Sequence, residues 1–362
     1  MSRIEVTKPF LPPLGKYYNL LEKVWESGIL THNGPMVQSF EKLFSEKYNL
    51  MDTVATSNGT IALQIAIRAL KLKGEIITTP FTWIATASSI IWENCSPVFV
   101  DIDAKTLNID CDKIEKKITK NTCAILPVHV FGSPCDCILI EEIARKHHLK
   151  VIYDAAHAVG SSYNGKSVLS FGDVSATSFH ATKLLNTAEG GACFSDNLEI
   201  IERLKQIRFF GHNDKKEIVT DGFNGKMTEI HAALGILNLS YIDEILADRK
   251  KKYLLYKSLL ENTDKIQFQT INVNESNFSY FPILLRDESI LIKIVFALNS
   301  ENIYPRRYFH PAINKFFKIL SYQEAPIAEE VSSKILCLPL YYELSCDIIE
   351  KISKIILREL DS

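Results

Sequence analysis

The sequence predicts an α/β fold in which a mostly parallel central sheet, flanked by helices, is followed by a smaller α+β unit. Three observations lead there. Through the first two thirds of the 362 residues, short apolar and β-branched runs alternate with longer helical patterns. Those runs are apolar on both faces, as strands covered on both sides by helices are. After Asn224 the alternation stops and a long amphipathic pattern takes over.

Along the chain, strands are expected over 75–79, 97–101, 124–129, 150–154, 176–179 and 192–195, with helices over 60–72, 83–94 and 138–148 between them. In such a sheet the chemistry belongs at the carboxyl ends of the strands. Met227, Ile230, Leu234, Leu237 and Tyr241 fall at steps of three and four and mark the long helix. A charge-dense run, 248–252, and a strand candidate, 278–285, come next. The chain closes on a helix whose stripe is Ile348, Ile349, Ile352, Ile355, Ile356 and Leu360, with Ser345 placed to cap it. The expected division is 1–245 for a large unit with an N-terminal arm and 246–362 for the small one.

Composition narrows the function. Lys and Arg number 41 against 43 Asp and Glu, so no net basic field draws the chain to nucleic acid or to anionic membrane. The first thirteen residues carry Glu5, Lys8 and three prolines, neither a signal peptide nor a membrane anchor. The eight cysteines are scattered without zinc-type spacing, and Cys135 and Cys137 flank a single Asp136. Reduced thiols, a cytoplasmic location and no metal are expected. His147 and His148 are adjacent and face apart on a helix, and the lysines of 113–120 suit a solvated helical face.

Three segments carry chemistry. Lys183 lies in a turn between two apolar runs, where burial would lower an amine's pKa and make it a nucleophile towards carbonyls; alone, it could equally be a solvated surface lysine. Asp154 ends the run Val151-Ile152-Tyr153, at the mouth of the sheet, where it could hold a protonated pyridine nitrogen or cap the following turn. Thr56-Ser57-Asn58-Gly59-Thr60 leads into a helix, offering free N–H groups and a hydroxyl to a phosphate, though these residues also make ordinary caps.

In this order and spacing, the three segments resemble the sugar aminotransferases of the DegT/DnrJ/EryC1/StrS family, pyridoxal-phosphate enzymes of fold type I. The resemblance covers nearly the whole chain. It extends to 25–41 with its Asn33-Gly34-Pro35, and to 80–86, 97–103, 127–132 and 222–227. It implies pyridoxal 5′-phosphate, alternating with pyridoxamine phosphate. Lys183 would bind the cofactor covalently and move the proton of the amino donor. Asp154 would hold the ring nitrogen, Trp83 would stack on the ring unless it is a core tryptophan, and His157 would contact the ring oxygen or help to stack. Asn58, Gly59, Thr60 and Ser178 would seat the phosphate, with Asn224 arriving from the partner subunit of a homodimer with shared active sites. Lysine at 183, where dehydratase members have histidine, implies transamination. The chain departs from the family at Tyr153 (often Glu), Ala188 (Gly) and Lys226 (Arg), and the last puts the phosphate or nucleotide contacts of Lys226 in doubt.

The run Phe179-His180-Ala181-Thr182-Lys183, followed by Thr187-Ala188-Glu189-Gly190-Gly191, looks like the members that aminate C4. The implied reaction moves the amino group of L-glutamate to C4 of dTDP-4-keto-6-deoxy-D-glucose, giving dTDP-4-amino-4,6-dideoxy-D-glucose for bacterial surface polysaccharide (O-antigen). The alternatives are C3 amination of a dTDP-3-keto sugar or C4 amination of a UDP- or GDP-linked one. Arg306, Arg307, Tyr308, Phe309, His310 and Pro311 form a basic and aromatic cluster expected to line the nucleotide-sugar site, with a solvated basic turn as the alternative.

Overall fold

The structure, a computed structural model, describes residues 3–316 and 318–361. Met1, Ser2, Phe317 and Ser362 lie outside them, the first two in the expected arm and the last at the end of the expected small unit. Seven strands form the central sheet: β1 (Val54–Thr56), β2 (Glu75–Thr78), β3 (Ser96–Phe99), β4 (Thr122–Ile125), β5 (Lys150–Asp154), β6 (Val174–Ser178) and β7 (Gly191–Phe194). Their order is β1-β7-β6-β5-β4-β2-β3. Only β7 runs antiparallel to its neighbours, pairing Gly191 with Ser178 on one side and with Thr56 on the other. The reason is local: β6 and β7 are joined by the loop 179–190 without a crossover helix, and adjacent parallel strands need one.

Six of the seven strands match expected runs to within a few residues. β1 is the addition; its three residues are fully buried, but so short a run has no readable period. Helices Gly59–Ala69, Ile84–Trp92 and Cys137–Lys146 fall where helices were expected. Asn58 and Asp136 cap the first and third through side-chain oxygens that accept from Ile61 N and Leu139 N. The long helix starts at Glu229 rather than Met227, because the Thr228 side chain caps it by accepting from His231 N.

A second, antiparallel sheet, β8 (Ile266–Phe268), β9 (Phe281–Leu285) and β10 (Ile335–Leu338), has order β8-β9-β10. Its strand β9 begins three residues later than expected, since Phe278 sits at φ 54°, which no strand residue adopts. The helices Glu288–Ser300 and Cys346–Asp361 share its core, with Leu298, Ile349, Ile352 and Ile356 fully buried. The Ser345 hydroxyl accepts from Ile348 N at 3.4 Å and so starts the last helix.

Two connections cross the expected division. Position 245/246 lies inside the continuous helix Ile242–Leu260, which buries Ile242 and Ile245 in the core around Phe40 and Phe179 and Tyr253, Tyr256 and Leu260 in the core around Phe281. The N-terminal arm, expected with the large unit, touches both: Ile4 pairs with Ile303 and is buried beside it in the second core, while Phe10 packs against the core around Phe40 and Phe179. Among the described residues no single helix is long and apolar enough to cross a membrane. The bent pair Glu229–Ser240 and Ile242–Leu260 is apolar enough when taken together, but it buries Ala232, Leu239, Ile242 and Ile245 in the protein's own core.

Candidate active site

The carboxyl ends of β5 and β6, the turn from β1 into Gly59–Ala69, and a wall from the second core enclose a cavity of about 810 Å³. Asp154, the last residue of β5, is buried in its floor. One carboxylate oxygen accepts from Thr86 Oγ1 (2.8 Å), which in turn contacts Thr82 Oγ1 (2.8 Å); the other accepts from the Ala156 N–H (3.1 Å). Burial still raises the Asp154 pKa, against these hydrogen bonds and the nearby Lys183. Such a carboxylate is held ready for a cation.

Lys183 lines the same cavity from the loop 179–190. Burial pushes its amine down to about 8; Asp154 opposes the shift and Arg306 adds to it. A substantial neutral fraction near neutral pH is what a nucleophilic amine requires. His157, also in the wall, is kept neutral by burial. Its ring lies parallel to those of Phe131 and Phe309 (6.2 and 6.0 Å), and its buried Nδ1 has no partner.

Opposite stands a cradle at a helix N-terminus. A Cβ on Gly59 would sit 2.7 Å from Ser178 Cβ, so only glycine allows the turn to lie this close to the end of β6. Thr60 and Ser178 line the cavity beside it. Asn58 also lines it, but its side-chain oxygen accepts from Ile61 N (2.9 Å) and is committed to the helix cap. A phosphate seat here rests on main-chain N–H groups and hydroxyls. Trp83 is 56 % exposed at the cavity wall, which rules out the core-tryptophan alternative.

The sequence matches the DegT/DnrJ/EryC1/StrS aminotransferase family over residues 16–357. It is 45% identical over 355 residues to a dTDP-4-amino-4,6-dideoxy-D-glucose transaminase of Shigella dysenteriae, covering 96% of this chain and 97% of that one. The chain belongs to this aminotransferase family. Its fold superimposes on that of DesI, analysed in the presence of its TDP-sugar product, with a TM-score of 0.94 at 28% identity, covering 99% of this chain and 93% of that one. It also matches NtdA of Bacillus subtilis with bound cofactor PMP, with a TM-score of 0.87 at 28% identity over 96% and 82% of the two chains.

As in the rest of the family, the cofactor of this aminotransferase is pyridoxal phosphate, and the residues present fit it. The Gly59 cradle suits an anion, and among the described residues Lys183 is the cation felt at buried Asp154 and the buried His157 Nδ1 has no hydrogen-bond partner.

Other expected site residues lie elsewhere. Arg306, Tyr308 and Phe309 reach the cavity, but Arg307 and His310 do not line it. Arg307 pairs with Glu288 (2.5 Å) and donates to the Ser333 carbonyl (3.1 Å), while His310 Nδ1 contacts the Ser332 carbonyl (3.0 Å). Successive residues of an extended stretch point to opposite sides, so Arg306 and Arg307 cannot both face inward. Asn224 and Lys226 also lie outside this chain's cavity. The Lys226 ammonium donates to Asn224 Oδ1 (2.6 Å) and lies 4.7 and 4.6 Å from the Phe209 and Phe210 ring centroids.

Further residues line or support the cavity without having been singled out in the sequence. Thr82 and Thr86 stand four apart across the start of a helix, a spacing that was visible. Tyr280, in the wall against His157 (4.8 Å), directly precedes β9 and packs with Phe131 and Tyr308, with no local signal. The departures from the family pattern have structural accounts. Tyr153 is buried away from the cavity, stacked on His129 at 4.9 Å, and Ala188 adopts φ 67°, a conformation natural to glycine.

Proposed function

We propose that this aminotransferase moves the amino group of L-glutamate to C4 of dTDP-4-keto-6-deoxy-D-glucose, giving dTDP-4-amino-4,6-dideoxy-D-glucose. The single observation that carries the chemistry is the pair in one cavity: a lysine amine lowered to about 8 and the buried Asp154. The choice of sugar and carbon is supported by the kinship with the Shigella enzyme and by the residues around Lys183.

Bound in the cavity, pyridoxal phosphate supplies a carbonyl that takes up amines and a ring that accepts electrons from the adjoining carbon. The chain does the rest. Gly59, Thr60 and Ser178 hold the phosphate; Asp154, oriented by Thr86 and the Ala156 N–H, keeps the ring nitrogen protonated. The Lys183 amine would take the proton from the donor's α-carbon and deliver it to the cofactor's former carbonyl carbon, on the other side of the nitrogen. Trp83 would stack on the ring, and His157 would contact its oxygen.

The working unit in this reading is a two-fold homodimer in which Asn224 and Lys226 complete the partner's cavity. Their position outside their own cavity supports it, as do the exposed Leu14, Tyr18 and Trp25 along the helix Leu14–Ser27. The enzyme is placed in the cytoplasm, where its product feeds the making of O-antigen polysaccharide.

The test is product analysis by NMR. Purified protein, pyridoxal phosphate and L-glutamate are incubated with dTDP-4-keto-6-deoxy-D-glucose, with the dTDP-3-keto isomer and UDP- and GDP-linked 4-keto sugars in parallel. An equatorial amine at C4 of the dTDP sugar is expected. Amination only at C3, or only of another nucleotide's sugar, overturns the assignment of substrate.

A further inference from the structure

His180 and Glu189 face each other across the neck of the loop that carries Lys183. Strands β6 and β7 are antiparallel with Gly191 opposite Ser178, and the pairing runs on one step further, the Phe179 N–H donating to the Gly190 carbonyl (2.7 Å). The next cross-strand neighbours are His180 and Glu189, on the face that Ser178 presents to the cavity, since residues two apart along a strand share a face. Both line the cavity. Their main chains are held in place: the Lys183 N–H donates to the His180 carbonyl (2.8 Å), and the Thr187 hydroxyl donates to that of Glu189 (2.8 Å).

The His180 ring is oriented by its own loop. Its Nδ1 accepts the Thr182 N–H (3.2 Å) and lies 2.8 Å from the Thr182 hydroxyl, so in the neutral ring the proton belongs to Nε2. Nε2 lies 3.7 Å from Glu189 Oε1, beyond hydrogen-bond length. With 47 % and 56 % of the two side chains exposed, an ion pair of this kind adds little to stability. What the arrangement offers is a donor and an acceptor side by side, open to whatever occupies the cavity.

A hydroxyl group satisfies both at once, its oxygen accepting from Nε2–H while its own hydrogen is donated to the carboxylate. A ketone oxygen only accepts, and a phosphate or carboxylate would meet Glu189 as a like charge. A 4-keto-6-deoxyhexose linked through C1 has two hydroxyls, on C2 and C3. Of these, the one on C3 is next to the reacting carbon, and the pair stands close to the lysine that works at that carbon.

We propose that His180 and Glu189 together grip the C3 hydroxyl of the keto sugar and so aim its C4 carbonyl at the amine to be transferred. This deepens the reaction given above and rests on it. The grip belongs to the sugar half of the reaction, because L-glutamate has no hydroxyl to offer. A sugar without that hydroxyl leaves the carboxylate against a C–H group, stripped of water and without a partner.

Binding can be read without turnover, because holoenzyme whose cofactor holds no amino group cannot aminate the sugar. Dissociation constants are measured by calorimetry, with no amino donor present, for dTDP-4-keto-6-deoxy-D-glucose and its 3-deoxy and 2-deoxy counterparts. The proteins are wild type, His180→Ala, Glu189→Ala and Glu189→Gln, each with its cofactor bound. On wild type, loss of the C3 hydroxyl is expected to raise Kd about tenfold, and loss of the C2 hydroxyl to leave it unchanged. Each alanine variant is expected to weaken the parent sugar about tenfold and to leave the 3-deoxy sugar as it was, since the contact is already gone. Glu189→Gln, which keeps an acceptor oxygen, should weaken the parent less.

Equal binding of the parent and 3-deoxy sugars by wild type overturns the proposal, and that comparison needs no variant to fold. So does a penalty confined to the 2-deoxy sugar, or alanine variants that weaken the parent and 3-deoxy sugars alike. Wild type that binds the parent sugar but never aminates it at C4 when L-glutamate is supplied would refute the underlying reaction instead.

Discussion

The two walls of the cavity are built differently. The wall from the central sheet is buried and hydrogen-bonded: Asp154 is fixed by Thr86 and Ala156, Thr86 contacts Thr82, and Gly59 packs against Ser178 with no room for a methyl group. Across from it, exposed Arg306 lies beside the Tyr308 and Trp83 rings, and among the described residues no carboxylate is paired with it. The first wall suits one group held through every turnover. The second suits reactants that come and go, because ring faces and an uncommitted guanidinium accept more than one shape.

Mutations should separate the walls, and the largest effect belongs to the sheet side. Lys183→Ala removes both nucleophile and proton carrier, and steady-state transamination is expected to fall by about 10⁴-fold. In the intact protein, pyridoxal phosphate capture should quicken as pH rises through about 8, since the neutral amine is the reactive form; an unshifted lysine would place that limb near 10.5. Asp154→Asn keeps the shape and loses the charge. Roughly a hundredfold loss in kcat, with little change in KM for either reactant, would mark it as a group of the cofactor wall.

Gly59→Ala comes next, with cofactor affinity falling about tenfold by equilibrium dialysis as the helix N-terminus is pushed off Ser178. A normal affinity would show that this wall yields as readily as the other. The smallest effect is a gain: Ala188 at φ 67° strains the lysine loop, and Ala188→Gly should raise stability by about 1 kcal/mol or somewhat less, read from the urea midpoint. No gain would mean that the unfolded chain's extra freedom offsets the relief.

The sheet wall was also the easier one to read in the sequence, for a physical reason. Asp154 ends one buried strand and Lys183 follows another, both with apolar runs visible in the chain, and Gly59 stands at the start of a helix with its own apolar period, so the element end locates each of them. The other wall depends on where a residue in an extended stretch of the second core points. Arg306 and Arg307 are indistinguishable as letters, yet one meets the cavity and the other Glu288. Tyr280 was hidden for the same reason, since its place against His157 follows from tertiary packing, whereas the helix cap that holds Asn58 was one of the two roles its sequence offered. The pairing of the arm with Ile303 was not legible, because two residues of strand carry no sign of a partner some 300 positions away.

That arm has a consequence in time as well as in space. Ile4 leaves the ribosome some 300 residues before its partner Ile303, and Val6 does so still longer before Leu340, whose N–H donates to its carbonyl. At synthesis rates of roughly 5–20 residues per second, the arm waits about 15–60 s without a place to dock. It also carries Phe10, whose carbonyl accepts from Asn186 in the lysine loop. The arm therefore settles only after the second sheet has been made, and the loop that carries the reactive amine gains that support no earlier.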